Sequence, residues 1–280
     1  MKKEKKKYIK YFPIFGCIST GLIYSAIGVI AMLSLLRLKE GGASKNSLLA
    51  YVKSLSGGEL VIWAILLGML SYIIWRIYES FRDPYHYGSD WKGLARRTGI
   101  GLSSLADALI AYSAFVVVLG SAHYNEHGQP QQKREMVANM LQSGWGKWLV
   151  VGLGLAIAVT AAVQLFYGIT RGYRERLDIA RFNKKKKQTI IFLGIVGYVA
   201  RGIILGIIGF FFIKSGILDN PNYVVNTDKA FNFIGDNIGK LPFTIVACGI
   251  ICYGLFMFAL GITYDVDNDP SDPNYNPQKS

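Results

Sequence analysis

Cysteine, histidine and acidic residues are all scarce in this sequence. The three cysteines, Cys17, Cys248 and Cys252, lie in apolar segments. This placement excludes a disulfide framework, and we expect no metal site and no cofactor. Only 18 aspartates and glutamates balance 31 lysines and arginines, so the net charge is +13. A chain this basic could bind nucleic acid, but its basic residues are confined to particular loops, which indicates membrane topology instead.

Charge is also scarce in six long stretches of the chain, each of which contains at most one charged residue. About 20 apolar residues suffice to cross a bilayer, and 51% of this chain is hydrophobic, with a mean hydropathy of +0.29. We therefore predict an all-α integral membrane protein with six transmembrane helices and a polar, disordered tail at residues 266–280. The six apolar runs are Ile14–Leu36, Leu60–Tyr78, Gly99–Gly120, Trp148–Ile169, Thr189–Ile213 and Leu241–Tyr264.

Lysine and arginine are distributed unequally between the two sides of these runs. The N-terminal segment, the second loop and the fourth loop hold 19 of them, whereas the first, third and fifth loops hold 10. Basic residues are retained on the cytoplasmic side. We therefore expect both termini, the second loop and the fourth loop to lie in the cytoplasm.

The six runs form three tandem pairs. One constant shift in numbering places the first pair on the third without a gap, so that Gly16 meets Gly197 and Gly28 meets Gly209. The middle pair aligns with the first at shifts of 85 and 88 in its two helices. We predict repeats at residues 11–83, 96–178 and 189–265. Parallel repeats are related by an axis along the membrane normal, so we expect three helical hairpins in a quasi-three-fold arrangement.

Several motifs in these repeats resemble a family of bacterial membrane proteins known as domain of unknown function 1206. They are GYVARG at 197–202, YGITRGYRERL at 167–177, and the small-residue openings SGGELVIWAILLG, SGWGKWLVVGLGL and IGKLPFTIVACGI. The resemblance implies three two-helix repeats in the bacterial cytoplasmic membrane, and it implies no assigned activity. The sequence departs from the family pattern at Thr20, which replaces the motif arginine, and at its acidic C-terminal end.

Two charges lie well inside apolar runs, Asp107 and Arg201, and a third, Arg76, lies near the end of the second run. Each lone charge costs ~2.5–3.5 kcal/mol at mid-membrane, which favours pairing of the two across the bundle. The alternative is that Arg201 snorkels to the inner headgroups. A structural role for the pair is favoured over an ion pathway.

Other polar residues fall at membrane depth or near its edge. Thr20 and Gln164 are expected inside the membrane, where interhelical hydrogen bonding explains Gln164. Arg76 and Glu79, three residues apart at a helix end, are expected to form a surface ion pair.

The fourth loop is strongly basic. We expect its cations to contact anionic lipid headgroups, or simply to fix the topology. They are Arg171, Arg174, Arg176, Lys184, Lys185, Lys186 and Lys187. Two other motifs are not expected to form a catalytic zinc site or a calcium loop. HYNEH at 123–127 runs into Gly128 and Pro130 in a short loop, and the acidic stretch 265–269 lacks the glycine and glutamate of a calcium loop.

Three classes of function remain to be compared. A structural or partner-binding component of the bacterial envelope is favoured, because intramembrane polar residues are few. A small-solute or ion transporter with a pathway near the repeat axis is the alternative. An enzyme is not expected, since the sequence contains no constellation of nucleophile, metal ligands or paired carboxylates.

Overall fold

The computed structural model describes residues 11–35, 57–83, 88–91, 93–94, 97–101, 104, 108, 131–177 and 182–263. These residues confirm an all-helical protein. Five helices are long and apolar enough to cross a membrane (α1, α2, α4, α5 and α7). Most of the third predicted run, Gly99–Gly120, lies outside the described residues. The helices are α1 (Tyr11–Leu35), α2 (Gly58–Arg82), α3 (Gln131–Leu141), α4 (Gly146–Ile169), α5 (Lys184–Ile217), α6 (Thr227–Asn237) and α7 (Lys240–Thr263).

Helix α5 is longer than its apolar run predicts. It spans 34 residues, about 51 Å at 1.5 Å per residue. The side chain of Asn183 caps its N-terminus, because it accepts a hydrogen bond from the backbone N–H of Lys186 at 3.0 Å. The lysine run, which the sequence pattern assigns to a loop, therefore forms the first turn of this helix, beyond the apolar segment.

The short helices α3 and α6 replace segments that the sequence pattern assigns to loops. Asn226 caps α6 by accepting from the N–H of Lys229 at 2.9 Å, and α6 buries Phe231 and Ile234. The spacing of these two residues, three apart after a capping asparagine, is the signal in the sequence. An arginine of α3, Arg134, donates to the backbone carbonyl of Asn222 at 3.0 Å. The two connecting segments therefore contact each other at one end of the bundle.

Within the hairpins α1–α2 and α5–α7, glycines bring the helices together at equivalent positions. A Cβ added at Gly68 would lie 3.0 Å from the carbonyl oxygen of Phe15, and one at Gly249 would lie 3.4 Å from that of Val196. The shift that places Gly16 on Gly197 also places Gly68 on Gly249 and Phe15 on Val196. The two hairpins thus repeat the same close approach between helices, which small residues permit.

Contacts between hairpins repeat as well. A Cβ at Gly21 would lie 3.0 Å from the carbonyl oxygen of Gly254, and one at Gly202 would lie 3.2 Å from that of Ala161. In the repeat alignment Gly21 corresponds to Gly202, and Gly254 of the third repeat corresponds to Ala161 of the second. Helix α7 therefore packs on α1 as α4 packs on α5. Two further contacts correspond in the same way: Gly28 with Ala247, and Gly209 with Gly154.

Residues 97–101 are helical and lie between α2 and α4. Arg97 donates from Nε to the carbonyl of Ser80 and from Nη2 to that of Phe81, both at 2.8 Å. These carbonyls belong to the last turn of α2, where a helix carries partial negative charge. On the other side, a Cβ at Gly99 would lie 2.9 Å from the side chain of Val163 in α4.

Candidate functional site: an arginine held by tyrosines

The guanidinium of Arg201 lies inside the bundle, halfway along α5. The residue is 2% exposed, and its Nη1 donates to the hydroxyl of Tyr253 at 2.6 Å. Its Cζ also lies 5.0 Å from the ring centroid of Tyr253 and 5.1 Å from that of Tyr24. The negative faces of the two rings stabilise the cation. Arg201 thus joins α5, α7 and α1, and its guanidinium does not face lipid as the snorkelling alternative required.

A chain of tyrosine rings leads from this arginine toward the connection between α4 and α5. Neighbouring ring centroids lie 4.9 Å apart for Tyr24 and Tyr253, 5.3 Å for Tyr253 and Tyr198, and 5.4 Å for Tyr198 and Tyr173. Tyr167 closes the far end at 5.3 Å from Tyr198. Edge-to-face contacts dominate this chain, and such pairs stabilise a fold beyond their burial of area. The five rings come from α1, α4, α5, α7 and the α4–α5 connection.

Tyr173 anchors the α4–α5 connection to the bundle. It belongs to the short 3₁₀ helix Gly172–Arg176 and is fully buried. Its hydroxyl donates to the backbone carbonyl of Ile191 at 2.7 Å. Burial raises the pKa of Tyr173 to about 12, against the opposing effect of Arg171 and Arg174. The ring occupies the space left by Gly194, because a Cβ there would lie 2.5 Å from it.

The GYVARG motif is explained by these contacts. A Cβ at Gly197 would lie 2.5 Å from the Cα of Tyr253, so this glycine lets α5 touch the backbone of α7. Gly202 does the same toward α4, at Ala161. Between the two glycines, Tyr198 stacks on Tyr173 and Arg201 reaches Tyr253. The motif therefore combines two close helix approaches with the two side chains that connect the helices.

The α1–α2 hairpin contains a related arrangement around Tyr72, which the repeat alignment places on Tyr253. The Cζ of Arg76 lies 5.6 Å from the Tyr72 ring centroid, so an arginine lies over the ring in both hairpins. Arg76 comes from the same helix as its tyrosine, whereas Arg201 comes from the partner helix. Arg76 also pairs with Glu79 at 3.7 Å, and the side chain of Glu79 is 0% exposed. The prediction of a surface pair was wrong, because both residues lie on the buried face of this helix end.

The remaining polar residues predicted at membrane depth have different positions. Thr20 and Gln164 are both buried. Asp107 lies outside the described residues, so its pairing with Arg201 stays a prediction. The residues aligned with it in the other repeats, Leu22 and Ile203, are 47% and 38% exposed on the outside of the bundle. The repeat alignment therefore weighs against the pair.

Most of the fourth-loop cations whose side chains the structure describes lie on the surface. Arg171, Arg174 and three lysines, Lys184–Lys186, are exposed, and Lys187 is half-buried. Arg171 has a φ of 59°, a left-handed turn that directs the chain from α4 into the Tyr173 anchor. The side chain of Arg176 lies outside the described residues, as do the HYNEH motif and the acidic stretch at 265–269. Among the described residues, no group of three or more metal-ligating side chains occurs.

Sequence reasoning identified Arg201 but missed the tyrosines that hold it. Tyr24 and Tyr253 carry no motif of their own. The signal for Tyr198 and Tyr173 was present, since each lies inside a quoted motif, but a tyrosine in an apolar helix is typical of an interfacial anchor. Only the packing of α1, α5 and α7 shows that the rings of Tyr24 and Tyr253 converge on one guanidinium and that Tyr198 and Tyr173 extend the chain of rings.

Comparison with known proteins agrees with the repeat structure. The profile of Domain of Unknown Function (DUF1206) matches three times in tandem, at residues 15–83, 98–171 and 196–264. An uncharacterized protein of Bacillus subtilis (strain 168), YxxB, is 29% identical over 265 residues, which is 94% of each chain. No solved structure matches the chain. Because the profile covers more than half of the sequence, the chain belongs to the DUF1206 family.

Proposed function

We propose that the protein is a six-span bundle in which three hairpins close into a ring around a quasi-three-fold axis. The repeated contacts support this: α4 meets α5 as α7 meets α1. The proposed remaining span begins near Arg97 and Gly99, whose contacts with α2 and α4 support a position between those two helices. Each second helix then packs on the first helix of the next hairpin, and three such steps close a ring.

The proposed orientation puts both termini and the second and fourth loops in the cytoplasm of a bacterial cell. The excess of lysine and arginine in those segments supports it. The test is thiol labelling of intact cells, in a background with Cys17, Cys248 and Cys252 replaced by alanine. Asn222→Cys is expected to react with an impermeant reagent, and Asp90→Cys only after the membrane is opened. Labelling of Asp90→Cys in closed cells would reverse the topology.

The role that this geometry supports best is a structural or partner-binding component of the envelope, without enzymatic activity. One observation carries it: the mid-span Arg201 is held by the hydroxyl of Tyr253 and by the rings of Tyr253 and Tyr24, within helices whose backbones touch at repeated glycines. A site that transports a solute must exchange partners and let helices separate. Fixed partners and backbone contact favour a rigid scaffold.

The test is flux through proteoliposomes that contain the purified protein, with a panel of inorganic ions, amino acids and sugars. We expect no flux above that of protein-free liposomes. The matched variant is Gly202→Leu, whose side chain does not fit in the α4–α5 contact. If loosening the bundle opens a path, solutes and ions are expected to leak through this variant without selectivity. Specific flux by the wild-type protein would refute the scaffold role.

The alternative role is a small-solute or ion pathway. The buried charges favour it, since Arg76 and Glu79 lie inside the bundle near one end and Arg201 lies at its middle. Buried ionisable groups in membrane proteins mark pathways in many cases. Under this alternative, flux is saturable and Glu79→Gln abolishes it, whereas the scaffold role predicts that this variant changes stability alone.

The membrane itself is the proposed partner of the fourth loop. Arg171 and Arg174 are held on the surface by the Tyr173 anchor, close to the level of Gly194 on α5. Gly194 lies roughly 15 Å closer than Lys184 to the middle of α5, at 1.5 Å per residue. These arginines therefore reach the boundary of the apolar layer, where anionic headgroups attract basic residues. Arg176 belongs to the same proposed surface, whereas Lys184–Lys187 lie roughly 10–15 Å beyond the level of Gly194 along α5 and are not part of it.

A further inference from the structure

We infer that the chain's own acidic tail docks on the lysine turn, which we define as Lys184–Lys187 at the start of α5. The occupant is the segment 264–272, which follows α7 directly and carries Asp265, Asp267, Asp269 and Asp272. The inference concerns an interaction surface and is independent of whether the bundle is a scaffold or a pathway.

The lysine turn has an unbalanced charge. Four consecutive lysines occupy the first turn of α5, which contains no acidic residue, and the sequence has none between Ile179 and Phe192. Lys184–Lys186 are exposed. The N-terminus of a helix carries partial positive charge and favours anions, so cations there repel both one another and the helix dipole. An anionic partner relieves both effects.

The end of α7 lies at the depth of this turn. Gly197 of α5 faces Tyr253 of α7 at backbone contact. The two helices run antiparallel, because Gly249, earlier on α7, contacts Ala200, later on α5. Lys187 lies ten residues before Gly197 on α5, and Thr263 lies ten residues after Tyr253 on α7, so both are displaced from the contact toward the same end of the bundle. Equal rise per residue puts these two positions at the same level.

The tail therefore begins beside the lysines. Packed helix axes lie about 8–10 Å apart, and α7 ends at Thr263. Each further residue extends the chain by at most ~3.3–3.6 Å. Asp265 comes two residues after the helix end, and Asp272 seven residues later, so every aspartate reaches the turn without straining the chain. Because the tail is tethered, its local concentration at the turn is in the millimolar range.

The test is disulfide crosslinking in the full-length protein, in the background without native cysteines. Gln188→Cys lies one helical turn after Lys184 and is paired with Asn268→Cys, so that all lysines and aspartates are kept. The matched control pairs Asn268→Cys with Lys214→Cys, at the opposite end of α5. The reaction is run in nanodiscs of zwitterionic phosphatidylcholine at low salt.

We expect the 188–268 pair to crosslink and the control pair not to do so. Replacing the four aspartates by asparagine, or adding 1 M NaCl, is expected to slow crosslinking roughly fivefold, because salt screens exposed charges. A change of less than twofold in both cases would mean that tethering alone brings the thiols together, and would overturn the inference. Loss of the crosslink in nanodiscs with phosphatidylglycerol would overturn it too, since anionic lipid would then be the occupant.

Discussion

The pairing of Arg201 with Tyr253 gives the sharpest quantitative prediction. Tyr253→Phe keeps the ring that lies over the guanidinium and removes only the hydroxyl that accepts its 2.6 Å hydrogen bond. Hydrogen bonds to charged groups contribute about 1.5–3 kcal/mol. The ring contact, worth about 0.5–2 kcal/mol, remains. We therefore expect Tyr253→Phe to lower the free energy of unfolding by about 1.5–3 kcal/mol.

The assay is a double-mutant cycle on thermal stability in neutral detergent, with Arg201→Met, Tyr253→Phe and the double variant. At about 2–4 °C per kcal/mol for a chain of this size, Tyr253→Phe lowers the Tm by roughly 3–12 °C. In Arg201→Met the Tyr253 hydroxyl no longer binds the guanidinium, so removing it as well costs little. The stability loss of the double variant is therefore expected to be smaller than the sum of the two single losses by about 1.5–3 kcal/mol. Additive losses would refute the reasoning. The same cycle with Asp107→Asn tests whether that carboxylate shares the guanidinium.

Three further predictions concern helix contacts and the loop anchor. Gly197→Ala puts a Cβ against the backbone of Tyr253 and is expected to lower the free energy of unfolding by about 1–3 kcal/mol. The control is Gly152→Ala, where a Cβ would meet nothing within 4 Å, and it is expected to be neutral or slightly stabilising. An equal fall in the Tm of both variants would contradict this prediction. The pKa of Tyr173 is raised in the fold to about 12, so the unfolded chain loses this proton first, and stability present below about pH 10 is lost as the pH rises toward about 12. Tyr173→Phe should remove that loss, and an unchanged pH dependence of Tm between about pH 9 and 12 would count against the buried hydroxyl. Arg97→Ala leaves the last carbonyls of α2 without their charged donor, and proteolysis at residues 83–97 in detergent should accelerate.

The ends of α5 and the short helices show where sequence patterns stop being informative. Apolar length marks the part of a helix that lipid surrounds, and it predicted α1, α4 and α7 to within a few residues. It says nothing about a helix that continues into water, because helical hydrogen bonding requires no apolar side chain. The lysine turn of α5 and the amphipathic α6 both depend on an asparagine cap and local packing.

The sequence by itself determined the helical class, the three-part repeat and the constant shift between its outer repeats. Membrane spans need long uncharged runs, and duplicated hairpins keep their glycines where backbones meet. The sequence also marked Arg201 as costly and therefore in need of partners. Only the tertiary structure decided what those partners are. Tyr24, Tyr198 and Tyr253 lie far apart in the chain and look like ordinary aromatic residues, and they become a site because α1, α5 and α7 approach one another at glycines. Tyr198 lies inside the GYVARG motif, but Tyr24 and Tyr253 carry no motif, and their contact with Arg201 depends on how helices that are distant in the sequence pack together.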